Sequence, residues 1–319
     1  MKKPITVVIP NYNGAQLLLK NLPSTIEALD SYSDNCSIIV VDDGSADDSL
    51  VVLETHFPKI EVVVHAKNKG FAEAIHTGVN AAKTELLFLL NSDVQVQSDI
   101  FQGLVPYFDD ENTFSVNPLI YDEQGEVKRH SWHLRQLKSG VLKLMKWKLE
   151  DALTWRSQGD RLPTMYAHGG SFMVRKSMFL ALGGFDSIYK PFYGEDSDLG
   201  LRAWRRGWAS YFEPTVHIVH QSIGAIRSNV KMDYVKCIKR RNRYILEWTH
   251  LNRSQLLFRS IPGSIFRLLG ELLIFDKINL KGFYLALLKI PEVIKRRGGL
   301  RKNDAASLND VLKKIRQYC

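Results

Sequence analysis

The 319-residue sequence predicts an α/β protein, a mostly parallel sheet flanked by helices with a C-terminal helical appendage. Three observations predict it. Apolar runs of strand length recur about every 20–25 residues through the first third of the chain, with helical patterns between them, the signature of βαβ units. Each run ends in polar residues. Residues 231–319 then carry basic, amphipathic helical patterns and no strand run.

ITVVIP (5–10) is a β-branched run ended by a proline. AQLLLKNLPSTIEAL (15–29) reads as a helix disturbed at Pro23. CSIIVVDDGS (36–45) is a second buried strand ending in acid and glycine. Ser45 with Asp48 three residues on resembles a capping box that opens a helix to about Thr55. IEVVVHA (60–66) is a third strand. In NKGFAEAIHTGVNAA (68–82), Ala74, Gly78 and Ala82 form a stripe of small residues that lets a helix lie close to a sheet. LLFLL (86–90) is the fourth strand.

The middle is less regular. Residues 118–166 show no clear strand run and one helical candidate, HLRQLKSGVLKLMKWKLEDAL (133–153), with Leu134, Leu137, Val141, Leu144 and Met145 at helical spacing. Such a helix either packs on its own domain or meets lipid. ASYFEPTVHIVH (209–220) is a late strand and RRNRYILEWTH (240–250) a basic helix. These patterns suggest two regions: 1–230, divided into 1–117 and 118–230, and the helical region 231–319.

The composition, 45% hydrophobic, suits a globular core. Cys36, Cys237 and Cys319 stand far apart, without zinc spacing or a disulfide framework, which fits a reducing cytosol. The start of the chain does not read as a signal peptide. Charge is uneven. Residues 1–115 hold 7 Lys+Arg against 16 Asp+Glu, whereas residues 231–319 hold 20 against 7. The basic end suggests an anionic partner. With apolar faces beside it and no nucleic-acid reader module, an anionic membrane surface is expected rather than nucleic acid. Charges interrupt every apolar run well short of the ~18 residues of a spanning helix.

Four polar clusters follow strands: Pro10-Asn11-Tyr12-Asn13, Asp42-Asp43-Gly44-Ser45, Asn68-Lys69-Gly70 and Asn91-Ser92-Asp93. A parallel sheet gathers such ends along one edge, where open α/β sheets bind ligands. The residue types suit a nucleotide. Tyr12 can stack on a base, and Asp43 can accept the imide N–H of uracil or thymine. Lys69 supplies charge for phosphate, Gly70 lets the backbone approach, and Asp93 can hold a divalent cation. The Rossmann and P-loop glycine patterns are missing.

VVIPNYNG, VVDDGSADDS, NKGFAEAIHTGVNAA, LLFLLNSDV and GGFDSIYKPFYGEDSDLGLRAWRRG, in that order and spacing, resemble a family 2 glycosyltransferase of the GT-A fold, of the bacterial envelope-polysaccharide or rhamnosyltransferase-like type. The resemblance covers roughly residues 4–225. It implies an inverting transfer from a nucleotide-diphosphate sugar, UDP or dTDP favoured, to a hydroxyl of a lipid-linked or envelope glycan. Matching positions give Pro10, Tyr12, Asp42, Asp43, Asn68, Lys69, Gly70 and Ser92 to the nucleotide. Asn91-Ser92-Asp93 takes the place of the family's DxD signature with its first Asp replaced, leaving Asp93 as the carboxylate for Mg²⁺ or Mn²⁺. His220 falls where related enzymes place a metal- or diphosphate-binding histidine, the alternative being a structural loop histidine. Glu195-Asp196 matches the family's ED pair, whose second acid resembles the catalytic base, with Glu195, Gly169 and Gly170 beside sugar or acceptor.

The local pattern agrees with that role. Gly194 precedes the pair and DLGLRAWRRG reads as helix, so Asp196 stands near a helix N-terminus that favours its ionised form. Asp198 and Arg202 read as an i, i+4 structural pair, and Asp186 as a loop-fixing residue. The competing functions are a sugar nucleotidyltransferase and a catalytically silent nucleotide-binding scaffold. The expected location is the cytoplasm, peripheral on the inner face of the cytoplasmic membrane.

Overall fold

The computed structural model describes residues 2–138, 141–221, 231–300 and 306–318. The first third alternates as β1 (Ile5–Asn11), α1 (Ala15–Tyr32), β2 (Ser37–Asp42), α2 (Ser49–His56), β3 (Glu61–Val64), α3 (Phe71–Ala81) and β4 (Leu86–Leu90). Next come β5 (Val94–Val96), α4 (Ile100–Leu104), β6 (Thr113–Tyr121), β7 (Arg135–Lys138), β8 (Val141–Leu144), α5 (Leu149–Ser157), β9 (Leu162–Pro163), β10 (Ser171–Arg175), α6 (Lys176–Ala181), α7 (Glu195–Arg205) and β11 (Ala209–His220). The C-terminal helices are α8 (Met232–His250), α9 (Ile261–Leu273), α10 (Lys277–Leu287), α11 (Ile290–Leu300) and α12 (Leu308–Arg316).

Nine strands make the main sheet, in the order β3-β2-β1-β4-β10-β6-β11-β5 with β9 beside β11. β1 to β4 are mutually parallel, and β10 runs antiparallel between β4 and β6. β6 and β11 are parallel to each other, so six strands share one direction. This topology positions the site. β1, β2, β4, β6 and β11 end at one edge, and the reversed strands β10 and β5 begin there, Ser171 opposite Leu90 and Val94 opposite His220.

The α3 stripe works as its residues predict. Ala74 and Gly78 face β1 and β2, and a β-carbon on Gly78 would collide with Val8 Cγ1 and stand 3.1 Å from Val41 Cγ2. One face of the sheet packs Leu18, Leu22, Phe88 and Phe101, the other Ile75, Val79, Phe172 and Phe179. A third core joins the middle of the chain to its end: Trp132, Tyr166 and Phe212 pack with Tyr244, Ile245, Leu312 and Ile315.

Several expectations need correction. α1 runs on to Tyr32 through Pro23, which is exposed on the outer side of the helix. The Ser45/Asp48 capping box does not form. Asp48 is the N-cap of α2 without a side-chain cap, and Ser45 Oγ instead accepts from Asn13 N at 2.9 Å. The middle region is strand-rich, and the helix expected over 133–153 is the antiparallel hairpin β7–β8 followed by α5. Leu137 and Leu144 of the expected helical pattern lie on opposite arms of that hairpin, and Leu134 is buried just before it, so spacing that mimics a helix comes from two strands and their approach.

Candidate active site

Three polar turns at the sheet edge are tied to one another by side chains. Asp42 is fully buried, its Oδ2 accepting from Asn11 Nδ2 at 3.0 Å and its Oδ1 from Ser45 N at 3.0 Å. Asp43 is buried too. Its Oδ1 accepts from Lys69 N at 2.9 Å and lies 2.7 Å from His65 Nδ1, and its Oδ2 accepts from Gly70 N at 2.7 Å. Asp43 therefore clamps the Asn68-Lys69-Gly70 turn, with Gly70 at φ 92° in the region glycine favours. Asn68 and Lys69 are exposed above it, and Tyr12 stands exposed beside Pro10.

At the end of β4, Asn91 N donates to Gly170 O at 2.9 Å. Ser92 O accepts from Asn21 Nδ2 at 2.7 Å, and Asn21 Oδ1 accepts from Gln221 Nε2 at 3.1 Å. Asp93 is buried, and its Oδ1 has no hydrogen-bond partner while lying 3.5 Å from His220 Nε2. Burial raises its pKa, the nearby His220 opposing. An orphaned carboxylate oxygen beside an imidazole nitrogen fits a divalent cation. Among the described residues no group of three or more His, Cys, Asp or Glu side chains could hold one alone. Further ligands would have to be water or phosphate oxygens, the usual habit of Mg²⁺ at diphosphates.

The acidic pair reaches this edge through two consecutive glycines. Glu195 opens α7 and Asp196 follows in its first turn, as expected. A β-carbon on Gly169 would stand 3.4 Å from Asp196 Cβ, and one on Gly170 would press at 2.8 Å on Asn91 Nδ2. Asp196 Oδ1 accepts from Ser197 N at 2.6 Å. The expected ease of ionisation is corrected: burial raises the pKa of Asp196, outweighing Ser197 and Arg135, which lower it. Glu195 is pushed up to about 8 by burial and by the adjacent Asp196, and its Oε2 is a second orphaned buried oxygen. Asp198 behaves as the structural residue expected. Burial works against its charge, but Arg202, 2.6 Å away, and His250, 2.9 Å away, outweigh it and hold Asp198 well below the carboxylate range. Asp186 accepts from Ile188 N at 2.9 Å and pairs with Arg296 of α11 at 2.6 Å.

Two features escape sequence reasoning. One is a column of rings on the approach to Asp93. Tyr166 stacks on His133 with centroids 3.8 Å apart, His168 is parallel to His133 at 6.3 Å, and His130 stacks on His168 at 4.8 Å. His220 meets His168 edge-on at 6.1 Å. Burial lowers His133 and His168 well below the usual range and His130 to about 4, so these three imidazoles are neutral. His168 Nδ1 accepts from Gly170 N at 3.2 Å and so fixes the glycine pair. The second is Asn242 of α8, whose Nδ2 donates to the carbonyls of Tyr189, Phe192 and Tyr193 at 2.8, 2.9 and 2.6 Å, bracing the loop before the acidic pair. His217 turns away from Asp93 and meets Tyr121 edge-on at 5.2 Å.

Residues 6–183 match the family model described as glycosyl transferase family 2. The chain is 26% identical over 221 residues, 67% of its length and 39% of the relative's, to mouse polypeptide N-acetylgalactosaminyltransferase 16. It is 24% identical over 203 residues, 58% of its length and 66% of the relative's, to the N-acetylglucosaminyl-diphospho-decaprenol L-rhamnosyltransferase of Mycobacterium tuberculosis. The chain spans less than half the length of the mouse relative. Among solved structures, GalNAc-T7 with UDP, GalNAc and Mn²⁺ superposes with a TM-score of 0.61 at 17% identity, over 79% of this chain and 48% of that one, a likeness of fold.

Proposed function

Because the chain belongs to glycosyl transferase family 2, we propose that it is an inverting glycosyltransferase, moving a sugar from a nucleotide-diphosphate donor to a hydroxyl of a glycan or glycolipid acceptor. The observation that carries this is the glycine bridge: Gly169 lies against Asp196 while Gly170 lies against Asn91 at the head of the turn to Asp93. A carboxylate and a diphosphate-type site are thereby held on either side of one small-residue gap. In this reading residues 1–117 serve the donor and 118–230 the acceptor.

Tyr12 stacks on the base beside Pro10, and Lys69 meets phosphate from the turn that Asp43 clamps. A uracil or thymine imide would share Asp43 with the backbone donors already there, and Asp42 keeps the β1 and β2 ends in register. Ser92 flanks the diphosphate. Asp93 and His220 would hold Mg²⁺ or Mn²⁺, which when bound neutralises charge on the departing diphosphate. Asp196 takes the proton of the acceptor hydroxyl as that oxygen forms its bond to the anomeric carbon. The bond from that carbon to the diphosphate oxygen breaks, and the nucleoside diphosphate leaves with the electron pair. Burial that raises the pKa of Asp196 makes it a stronger base. Glu195, protonated at neutral pH, is a hydrogen-bond donor for a sugar or acceptor oxygen. A glycolipid acceptor would be met at a membrane surface, toward which the basic C-terminal helices are suited to face.

Calorimetric titration with UDP, dTDP, GDP and CMP, with and without Mn²⁺, tests the reading. Metal-dependent binding of UDP or dTDP is the expected result. Preference for GDP would remove the pyrimidine contact at Asp43. Folded protein that binds none of the four would end the donor assignment.

A further inference from the structure

Helix α9 is polar on the inside and apolar on the outside. Ser264 and Glu271 face inward and are buried, and Arg267 is half-buried. Phe266 is 82% exposed and Leu273 81% exposed, with Ile265, Leu269 and Leu272 also open to solvent. The turn after the helix extends the face through Ile274 and Phe275, the latter 81% exposed, and the turn before it adds Phe258. A helix on the surface of a water-soluble protein has the opposite arrangement, and exposed apolar patches of this kind mark interaction sites.

Two residues of the inward face, Glu271 and Arg267, meet α8 and set the orientation of the helix. Glu271 Oε1 lies 3.3 Å from Arg240 Nη2 of α8, and the Arg267 guanidinium is 6.0 Å from the centre of the Tyr244 ring. Rotating α9 to hide its phenylalanines would part Glu271 from Arg240 and carry both α9 charges away from α8. The segments that flank the face in the chain carry exposed cations. Arg259 before α9 and Lys277 and Lys281 after it are exposed, while Glu271 is ion-paired inward and Asp276 accepts from Asn279 N at 3.1 Å as the cap of α10. Among the described residues no helix is long and apolar enough to cross a membrane.

We propose that α9 and the turn Ile274-Phe275 insert into the surface of an anionic lipid bilayer and lie in the plane of its interface. Aromatic and aliphatic side chains enter the acyl boundary, and the flanking lysines and arginine meet lipid phosphate. This deepens the membrane-borne acceptor reading, and it is tested by lipid binding alone, without transfer.

The experiment is co-sedimentation of the full chain with phosphatidylcholine vesicles, with and without phosphatidylglycerol. Wild type is expected to sediment with anionic vesicles and less with neutral ones. The double variant F266S/F275S should lower that partition by roughly tenfold or more, and K277Q/K281Q should weaken it on anionic vesicles only. L269S/L273S is the second variant, and unchanged nucleotide binding by calorimetry shows that each protein is folded. If F266S/F275S and L269S/L273S bind vesicles as wild type does, insertion is overturned. It is equally overturned if wild type ignores vesicles; a dimer in sedimentation velocity that F266S/F275S dissolves would then show that a second copy covers the face. Loss of lipid binding with retained UDP binding separates this proposal from the donor site.

Discussion

His250 Nε2 lies 2.9 Å from Asp198 Oδ1, joining the end of α8 to the helix that carries the acidic pair. Both side chains are buried, and Tyr189 and Arg202 complete the ring of partners around Asp198. His250→Ala leaves a buried carboxylate one partner short. It should cost about 1–3 kcal/mol in urea unfolding, with nucleotide affinity little changed in the surviving folded protein.

Asp196→Asn keeps the shape of the proposed base and removes its proton affinity. Transfer should fall roughly 10²- to 10⁴-fold, with nucleotide binding as in wild type. A variant that transfers at the wild-type rate would place the base elsewhere.

Asp93→Asn removes the carboxylate that lies beside His220. The enhancement of UDP or dTDP binding by Mn²⁺ should drop roughly tenfold or more, while metal-free binding stays near the wild-type value. Equal metal enhancement in both proteins would show that Asp93 holds no ion.

Gly78→Val tests the contact of α3 with the sheet. Its side chain would be driven into Val8 and Val41, so a loss of about 1–3 kcal/mol is expected in thermal or urea unfolding. No loss would mean that α3 can move away from β1 at no cost.

Acid should weaken the fold through the histidine column. Burial holds His133 well below its ordinary 6.5 and His130 at about 4. The unfolded chain takes up these protons first. Stability present above pH 6.5 is therefore lost as pH falls from 6.5 towards about 4. Glu195 acts in the other direction, since a carboxyl raised from 4.5 to about 8 loses its contribution as pH rises across that interval. The column's share is read as the difference between wild type and His133→Phe, which keeps the stack on Tyr166. A shallower acid slope in the variant is expected, and an identical slope would remove His133 from the account.

β1, β2 and β4 with their polar ends are legible in the sequence because each is a short apolar run closed by turn-forming residues. The placement of Asp196 in the first turn of α7 is legible because Gly194 and a helical pattern flank it. The hairpin of β7 and β8 is not legible, since Leu137 and Leu144 on its two strands, with Leu134 just before it, fall by chance at helical spacing. Nor is the histidine column. His130, His133, His168 and His220 come from three separate stretches, and the reversed strand β10 between β4 and β6 brings them together. The ionisation of Asp196 runs against the helix-dipole argument, because the sequence gives its position on the helix but not its burial. Asn242 gives no signal either: a lone amide among arginines reads as a solvated residue until the Tyr189–Tyr193 carbonyls are seen beneath it.

Asn242 makes the acidic pair answerable to a remote part of the chain. Three carbonyls just before Gly194 hang from one side chain on α8, and α8 also anchors the inward face of α9 through Arg240. On the proposed reading, a tilt of α9 would pass by way of α8 to the loop before Asp196. Seating on a surface and readiness to react would then be mechanically linked, and an enzyme adrift from its surface would hold its base at a different angle from one at rest on it.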